Sequence, residues 1–358
     1  MTATDLPVKP YSASSSDAPV DATLDASINN PSVCDSRLDD SFAEINWQAP
    51  WLCHLNQLNY ISKTITQLSG LNDLNAEHFN AKPSDIKSFN TDIIENMPDI
   101  IAKVLNTALQ QQADGLQQPL PQTKPAHNNE AQTIKFVSQN ALPEGEAYES
   151  FIATTGNIPT RDNLHDLFNG SIWLTFPKTK ALLNYYHMLE IEQQGIRASR
   201  GRVRDTITVF DENGAVLVTA DPSIGEALID FDWLGSLVST RSKWDDPKQI
   251  NSHSQAAVYI FGHALLEQLI QPRKPLCAHS IVINVTPDFF ALALSERMQY
   301  LDNKVAEHMD NLLSQDEITP RQLAPLPILG VPYFWPENTD SSFYEDSFVF
   351  RSGRRRKK

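Results

Sequence analysis

Cysteine is scarce in this chain: Cys34, Cys53 and Cys277 are the three among 358 residues. No two stand at the short spacing of a thiolate metal site, and an odd count suits no disulfide framework, so a reducing compartment is expected. Glycine, at 13 residues, never gathers into a phosphate-cradling loop, and neither GxSxG nor HExxH occurs. Long apolar runs are missing as well. The most apolar stretch, residues 256–270, carries His263 and Glu267 and is too short to span a bilayer. The first residues show no basic segment followed by an apolar one, so a cytoplasmic protein is expected. Basic residues are in deficit, 29 Lys and Arg against 44 Asp and Glu, for a net charge of −15. A surface of that sign repels phosphate polymers and anionic membranes, which argues against a general nucleic-acid binder.

What is present is a globular composition with polar appendages. At 41% hydrophobic residues the chain can bury a large core. Residues 1–41 are rich in Ser, Asp, Ala and Pro, and across the first 50 residues eight acidic side chains meet two basic ones. That composition predicts a disordered acidic arm. Residues 352–358 form a basic tail, also expected to be disordered, and the Gln/Pro-rich stretch 110–132 is expected to be a flexible loop. A single globular domain over 42–351 is predicted between the two ends.

Residue types that do chemistry are densest in TRDNLHDLFNGSIWLTFP, residues 160–177. An oxygen side chain at Thr160 or Asp162 suits an N-cap, which predicts a helix over 163–176. At about 100° per residue, Leu164, Leu167, Phe168, Ser171 and Thr175 share one face, with Asp162, His165, Asp166, Asn169 and Trp173 opposite. A polar face of this kind fits a solvated flank, a buried hydrogen-bond network or a ligand site. An indole in line with carboxylates is uncommon on an open surface and suggests a covered face. Pro177 suits the first turn of a second helix that Gly195 ends.

Further on, RDTITVFDENGAVLV reads as a β-hairpin over 206–218, two β-branched strands joined near Gly214. Arg200, Arg202 and Arg204 alternate just before it, so an extended backbone would put three guanidinium groups on one side, paired to local carboxylates or holding an anion. Residues 256–270 read as a buried helix with His263 and Glu267 on its polar line. That i, i+4 pair is expected to bond internally or to serve metal or acid–base chemistry. Residues 278–285 read as a third strand, and 287–313 as a long amphipathic helix. The proline-rich end from Leu323 reads as an extended strap.

The segments IPTRDNLHDLFNGSIWLTFPKTKALLN, RDTITVFDENGAVLV, FGHALLEQLIQP, PLPILGVP and FYEDSFVFR together resemble the bacterial family catalogued as domain of unknown function 3025, over most of residues 46–351. The resemblance implies which stretches belong to the domain; it brings no established activity, cofactor or fold.

A single α+β domain is expected, predominantly helical, with a small antiparallel sheet made from the hairpin and the third strand. The absence of a complete recognisable constellation favours a non-catalytic binding or adaptor protein. The alternative is a hydrolase-like enzyme, in which His165 or His263 acts as general base and Asp166 or Glu267 orients it or joins it on a divalent metal. Arg204 would hold an anionic substrate group. This alternative requires the helices carrying His165 and His263 to face each other. Arg161, Asp162, Asn163, Asn169, Trp173 and Arg202 complete the candidate ligand-binding set, and the residues specify neither a cofactor nor a partner beyond a small anionic ligand.

Overall fold

The computed structural model describes residues 38–69, 98–125, 130–194, 201–249 and 251–353; the N-terminal arm to residue 37 and the tail from 354 lie outside them. A 3-10 stretch, Pro50–Leu58, buries Trp51, Leu52, Leu55 and Leu58, and leads into helix α1 (Asn59–Leu68), which buries Ile61 and Ile65. Helix α2 (Ile100–Leu116) buries Ile100, Ile101, Val104, Leu105, Ala108 and Leu109 at helical spacing. It continues through Leu116, well into the stretch expected to be a loop from residue 110.

Strand β1 (Lys135–Ser138) runs parallel to β2 (Asn157–Thr160). Helix α3 (Tyr148–Thr155) connects them and ends at Gly156, with φ 71°. A side chain there would also meet the Thr133 carbonyl at 2.3 Å, so only glycine fits the turn. Helix α4 (Leu164–Thr175) follows, capped by Asn163, and α5 (Pro177–Gln194) starts on Pro177.

The hairpin expected over 206–218 is not formed. Residues Arg202–Asn213 are a helix, α6, and only Gly214–Thr219 is a strand, β3. Thr206, Ile207 and Phe210 make the buried stripe of α6, and the Thr206 hydroxyl donates to the Arg202 carbonyl at 2.9 Å. Burial of that stripe overrides the strand preference of β-branched residues, which amounts to a few tenths of a kcal/mol each. All six β3 residues are buried, as expected for a central strand covered on both faces.

After α7 (Pro222–Ile229), the helix expected over 256–270 divides in two: strand β4 (Ala256–Ile260) and a short helix α8 (His263–Gln268). An unbroken apolar run has no period that separates strand from helix, and the chain changes element at Gly262. Strand β5 (Cys277–Asn284), helix α9 (Leu294–Leu313) and strand β6 (Ala324–Pro327) complete the set. The main sheet has the order β4-β3-β5-β6. Its β3–β4 and β5–β6 pairs are antiparallel and its central β3–β5 pair is parallel, so the small sheet is mixed.

The molecule is predominantly helical with a two-stranded and a four-stranded sheet, an α+β arrangement. Asp302 of α9 fixes the start of α5 by accepting from the Lys178 and Thr179 backbone N–H groups at 3.0 and 2.9 Å. Past β6 the chain is pinned by Tyr344, whose hydroxyl donates to the Gly330 carbonyl at 2.7 Å. No helix among the described residues is long and apolar enough to cross a membrane.

Candidate metal centre

Three helices bring the site together, and two glycines set how closely. Gly262 precedes α8 and Gly214 follows α6. A side chain on Gly262 would meet Gly214 N, Asn213 Cα and the Glu212 carbonyl at 2.4–2.5 Å. The Phe261 and Gly262 N–H groups both donate to the Gly214 carbonyl, at 2.9 and 2.8 Å. Backbone contact at that range places His263, first residue of α8, against the last turn of α6 and so against Glu212. Helix α4 packs across α8 and delivers His165 from its first turn.

The Nε2 atoms of His165 and His263 are 3.0 Å apart. Glu212 Oε2 is 3.5 Å from His263 Nε2, and the three donor atoms all lie within 4.8 Å of one another. Ligand atoms of a tetrahedral zinc-type ion, at roughly 2.0–2.1 Å from the metal, are about 3.3 Å apart. The separations of 3.0 and 3.5 Å bracket that value. Behind His165, Nδ1 lies 3.0 Å from Glu267 Oε2. A carboxylate at that place accepts from Nδ1–H and so favours the tautomer with its lone pair on Nε2, facing His263. Glu212 is an acceptor too, so at most one N–H, on His263, serves an inner set otherwise made of lone pairs. A cation is the natural complement of such a set.

Burial holds the His263 pKa down to about 4, against which the Asp211 carboxylate pulls upward. The ring is therefore neutral near pH 7, the form in which an imidazole can ligate a cation. Burial raises the Glu212 pKa, and the neighbouring Asp211 charge adds to that. Around this centre lies a cleft of about 370 Å³, lined among others by Asn169, Trp173, Lys180, His187, Arg204 and Asp211. Lys180 Nζ donates to Asn169 Oδ1 at 2.9 Å and to Asp211 Oδ1 at 2.6 Å. Burial alone would raise the Asp211 pKa, but the Lys180 ammonium and the nearby imidazoles outweigh it and leave the group below its usual range.

The structure sorts the residues singled out in the sequence. His165, Asp166, Asn169 and Trp173 of α4, with Arg161 ahead of it, line the cleft together with His263 and Arg204. Glu267 meets His165, not His263, so the i, i+4 pair expected to bond internally does not. Asp166 does not orient either imidazole: it is held by Arg161 through Nε and Nη2, both at 3.0 Å. Asp162 accepts from Ile101 N at 2.8 Å and so caps α2, while Asn163 accepts from Asp166 N at 2.8 Å as the N-cap of α4. Neither is among the residues that line the cleft. The arginine row is also corrected: on helix α6, Arg202 is exposed and about 200° around the axis from Arg204, and Arg200 lies outside the described residues. Glu212, Lys180, His187 and Asp211 were not singled out. Glu212 and Asp211 fall in the connection ahead of Gly214 in the expected hairpin, and no local signal marks them until 202–213 is known to be helical.

The expectation of a non-catalytic binding or adaptor protein is overturned by this cluster: His165, Glu212 and His263 converge as a metal-ligand set, and the hydrolase-like alternative is the one favoured. Among known families, the model described as protein of unknown function (DUF3025) matches residues 134–354, a span that contains every residue of the cluster. No curated protein and no solved structure matches the chain.

Proposed function

Because the chain belongs to the DUF3025 family, a family defined without an activity, we propose its function from the site alone: a hydrolase-like enzyme with a divalent metal held by His165, His263 and Glu212. The carrying observation is the convergence of two imidazole Nε2 atoms and a carboxylate oxygen within 4.8 Å at the wall of a cleft. Two histidines and one glutamate are a known catalytic zinc set, which keeps its fourth position for water or substrate. An ion so held supplies a Lewis acid and a bound water whose pKa falls to about 7. Glu267 keeps the His165 ring in its ligating tautomer and orientation. The Lys180–Asp211 pair, hydrogen-bonded to Asn169, fixes the polar floor of the cleft.

We place the enzyme in a bacterial cytoplasm, on the family resemblance and on Cys53 and Cys277, which are free. The acidic arm and basic tail are proposed, on composition, as disordered appendages of one domain over 42–351.

Metal analysis of the purified protein tests this reading. About one equivalent of zinc or another divalent ion is expected after dialysis against the metal, and His263→Ala and Glu212→Ala should each lose it, together with any esterase or amidase activity found on a substrate panel. Less than a tenth of an equivalent in the unaltered protein, or equal uptake by both variants, rejects the metal.

A further inference from the structure

The cleft holds a second set of groups that the metal does not use. Trp173, Arg204 and His187 line it, and Trp173 Nε1, Arg204 Nε and His187 Nδ1 are buried without a hydrogen-bond partner. Trp173 is 2% exposed. The first two groups can only donate, and a buried donor left unpaired costs about 1–3 kcal/mol. A molecule that leaves several such donors together in one cleft lacks an acceptor that a ligand can bring.

Charge narrows the kind of acceptor. The other two cations of the cleft already have carboxylates, Arg161 on Asp166 and Lys180 on Asp211. Among the described residues no carboxylate pairs with Arg204, and its guanidinium is close enough to His187 to oppose protonation of that ring. Burial chiefly lowers the His187 pKa, and the Arg204 and Lys180 charges add to it against the Glu149 and Asp211 carboxylates, so Arg204 supplies the positive charge of this set.

Spacing then separates this set from the metal ligands. Trp173 is eight residues beyond His165 on α4, and Arg204 eight residues before Glu212 on α6. Each interval is about 12 Å of helix axis. Asn169 and Lys180 occupy the ground between. At about 370 Å³ the cleft is at the small end of ligand pockets, roughly 300–1,000 Å³, so one small molecule can reach both regions.

We propose that Arg204, Trp173 and His187 bind an oxyanion of the substrate, a carboxylate or a phosphate, and so make the substrate a small ester or amide with an anionic group roughly 10 Å from the bond cleaved. This rests on the hydrolytic reading for the cleaved bond, but the anion subsite itself does not need the metal.

Calorimetric titration of the full-length, chelator-stripped protein with inorganic phosphate and with acetate tests it. One of the two should bind with one-to-one stoichiometry, and Arg204→Gln and Trp173→Phe should each weaken that binding by about tenfold or more. Trp173→Phe keeps the ring and removes only the N–H, which leaves a usable variant where the arginine change impairs folding. His263→Ala should retain anion binding although it loses the metal, and Arg204→Gln should retain metal uptake. Heat from phosphate alone assigns a phosphate-bearing substrate, and heat from acetate alone a carboxylate. No binding of either anion, or affinity within about twofold of the unaltered protein in both variants, overturns the proposal. Failure of metal uptake with intact anion binding would instead remove the hydrolytic reading alone.

Discussion

Glu267 Oε2 lies 3.0 Å from His165 Nδ1 although the two residues are 102 positions apart in the chain. The contact joins two helices, α4 and α8, and it fixes which nitrogen of His165 faces the cleft. Outer carboxylates of this kind typically contribute 10- to 100-fold in metal affinity, about 1.4–2.7 kcal/mol. Glu267→Gln is expected to weaken zinc binding by about that factor, since the amide can still accept from Nδ1–H but carries no charge. Glu212→Gln removes a ligand charge and should weaken it further. Competition against a chromophoric chelator measures both. Equal affinity of Glu267→Gln and the unaltered protein would reduce Glu267 to a structural contact.

The approach of α8 to α6 leads to a prediction about the backbone. Gly262 leaves no room for a methyl group, since the three nearest atoms are all main chain at 2.4–2.5 Å, and main chain cannot swing aside as a side-chain tip can. Gly262→Ala should therefore cost about 3 kcal/mol of stability. It should also move His263 away from Glu212, so that metal uptake falls even below the unfolding transition. Urea unfolding followed by metal analysis of the folded fraction separates the two effects. Full metal occupancy in a folded Gly262→Ala protein would show that the close packing does not set the ligand spacing.

Legibility in the sequence followed the periodicity of each stretch. The α4 pattern was strong because its polar and apolar residues separate cleanly at 100° per residue, and the face carrying His165, Asn169 and Trp173 does line the cleft. Pro177 marked a helix start through its own chemistry, whereas the cap of α4 is Asn163 and neither Thr160 nor Asp162, the two candidates expected. Residues 202–213 and 256–260 depart from their expected form for opposite reasons. ITVF has the composition of a strand, but its neighbours in space make it a helix. The run through AAVYIF is apolar throughout, so no period distinguishes a strand covered on both faces from a buried helix. Those two errors hid the centre: they put Glu212 in a turn and set Glu267 facing His263. The pairing of Glu267 with His165 depends on how α8 crosses α4, which no local pattern encodes.

A last prediction concerns acid stability and a histidine that does not line the cleft. His54 is fully buried beside Phe176 and Tyr259, with ring centroids at 6.4 and 6.1 Å, and neither ring nitrogen has a well-formed hydrogen bond. Burial brings its pKa down from 6.5 to about 4, and the Ile260 carbonyl nearby offsets this only in part. In the unfolded chain the ring takes up a proton below about pH 6.5, whereas in the folded chain it does so only near 4. The unfolded state thus binds more protons in that window, and stability present above pH 6.5 is lost as the pH falls toward 4. The interval is worth at most about 3 kcal/mol. His263 of the metal-free protein acts in the same direction, so the decisive quantity is a difference between variants. Measured by urea unfolding at pH 7.5 and 4.5, His54→Leu should lose about 2–3 kcal/mol less on acidification than the unaltered protein. Parallel losses in the two proteins would mean that His54 is already protonated, or hydrated, inside the fold.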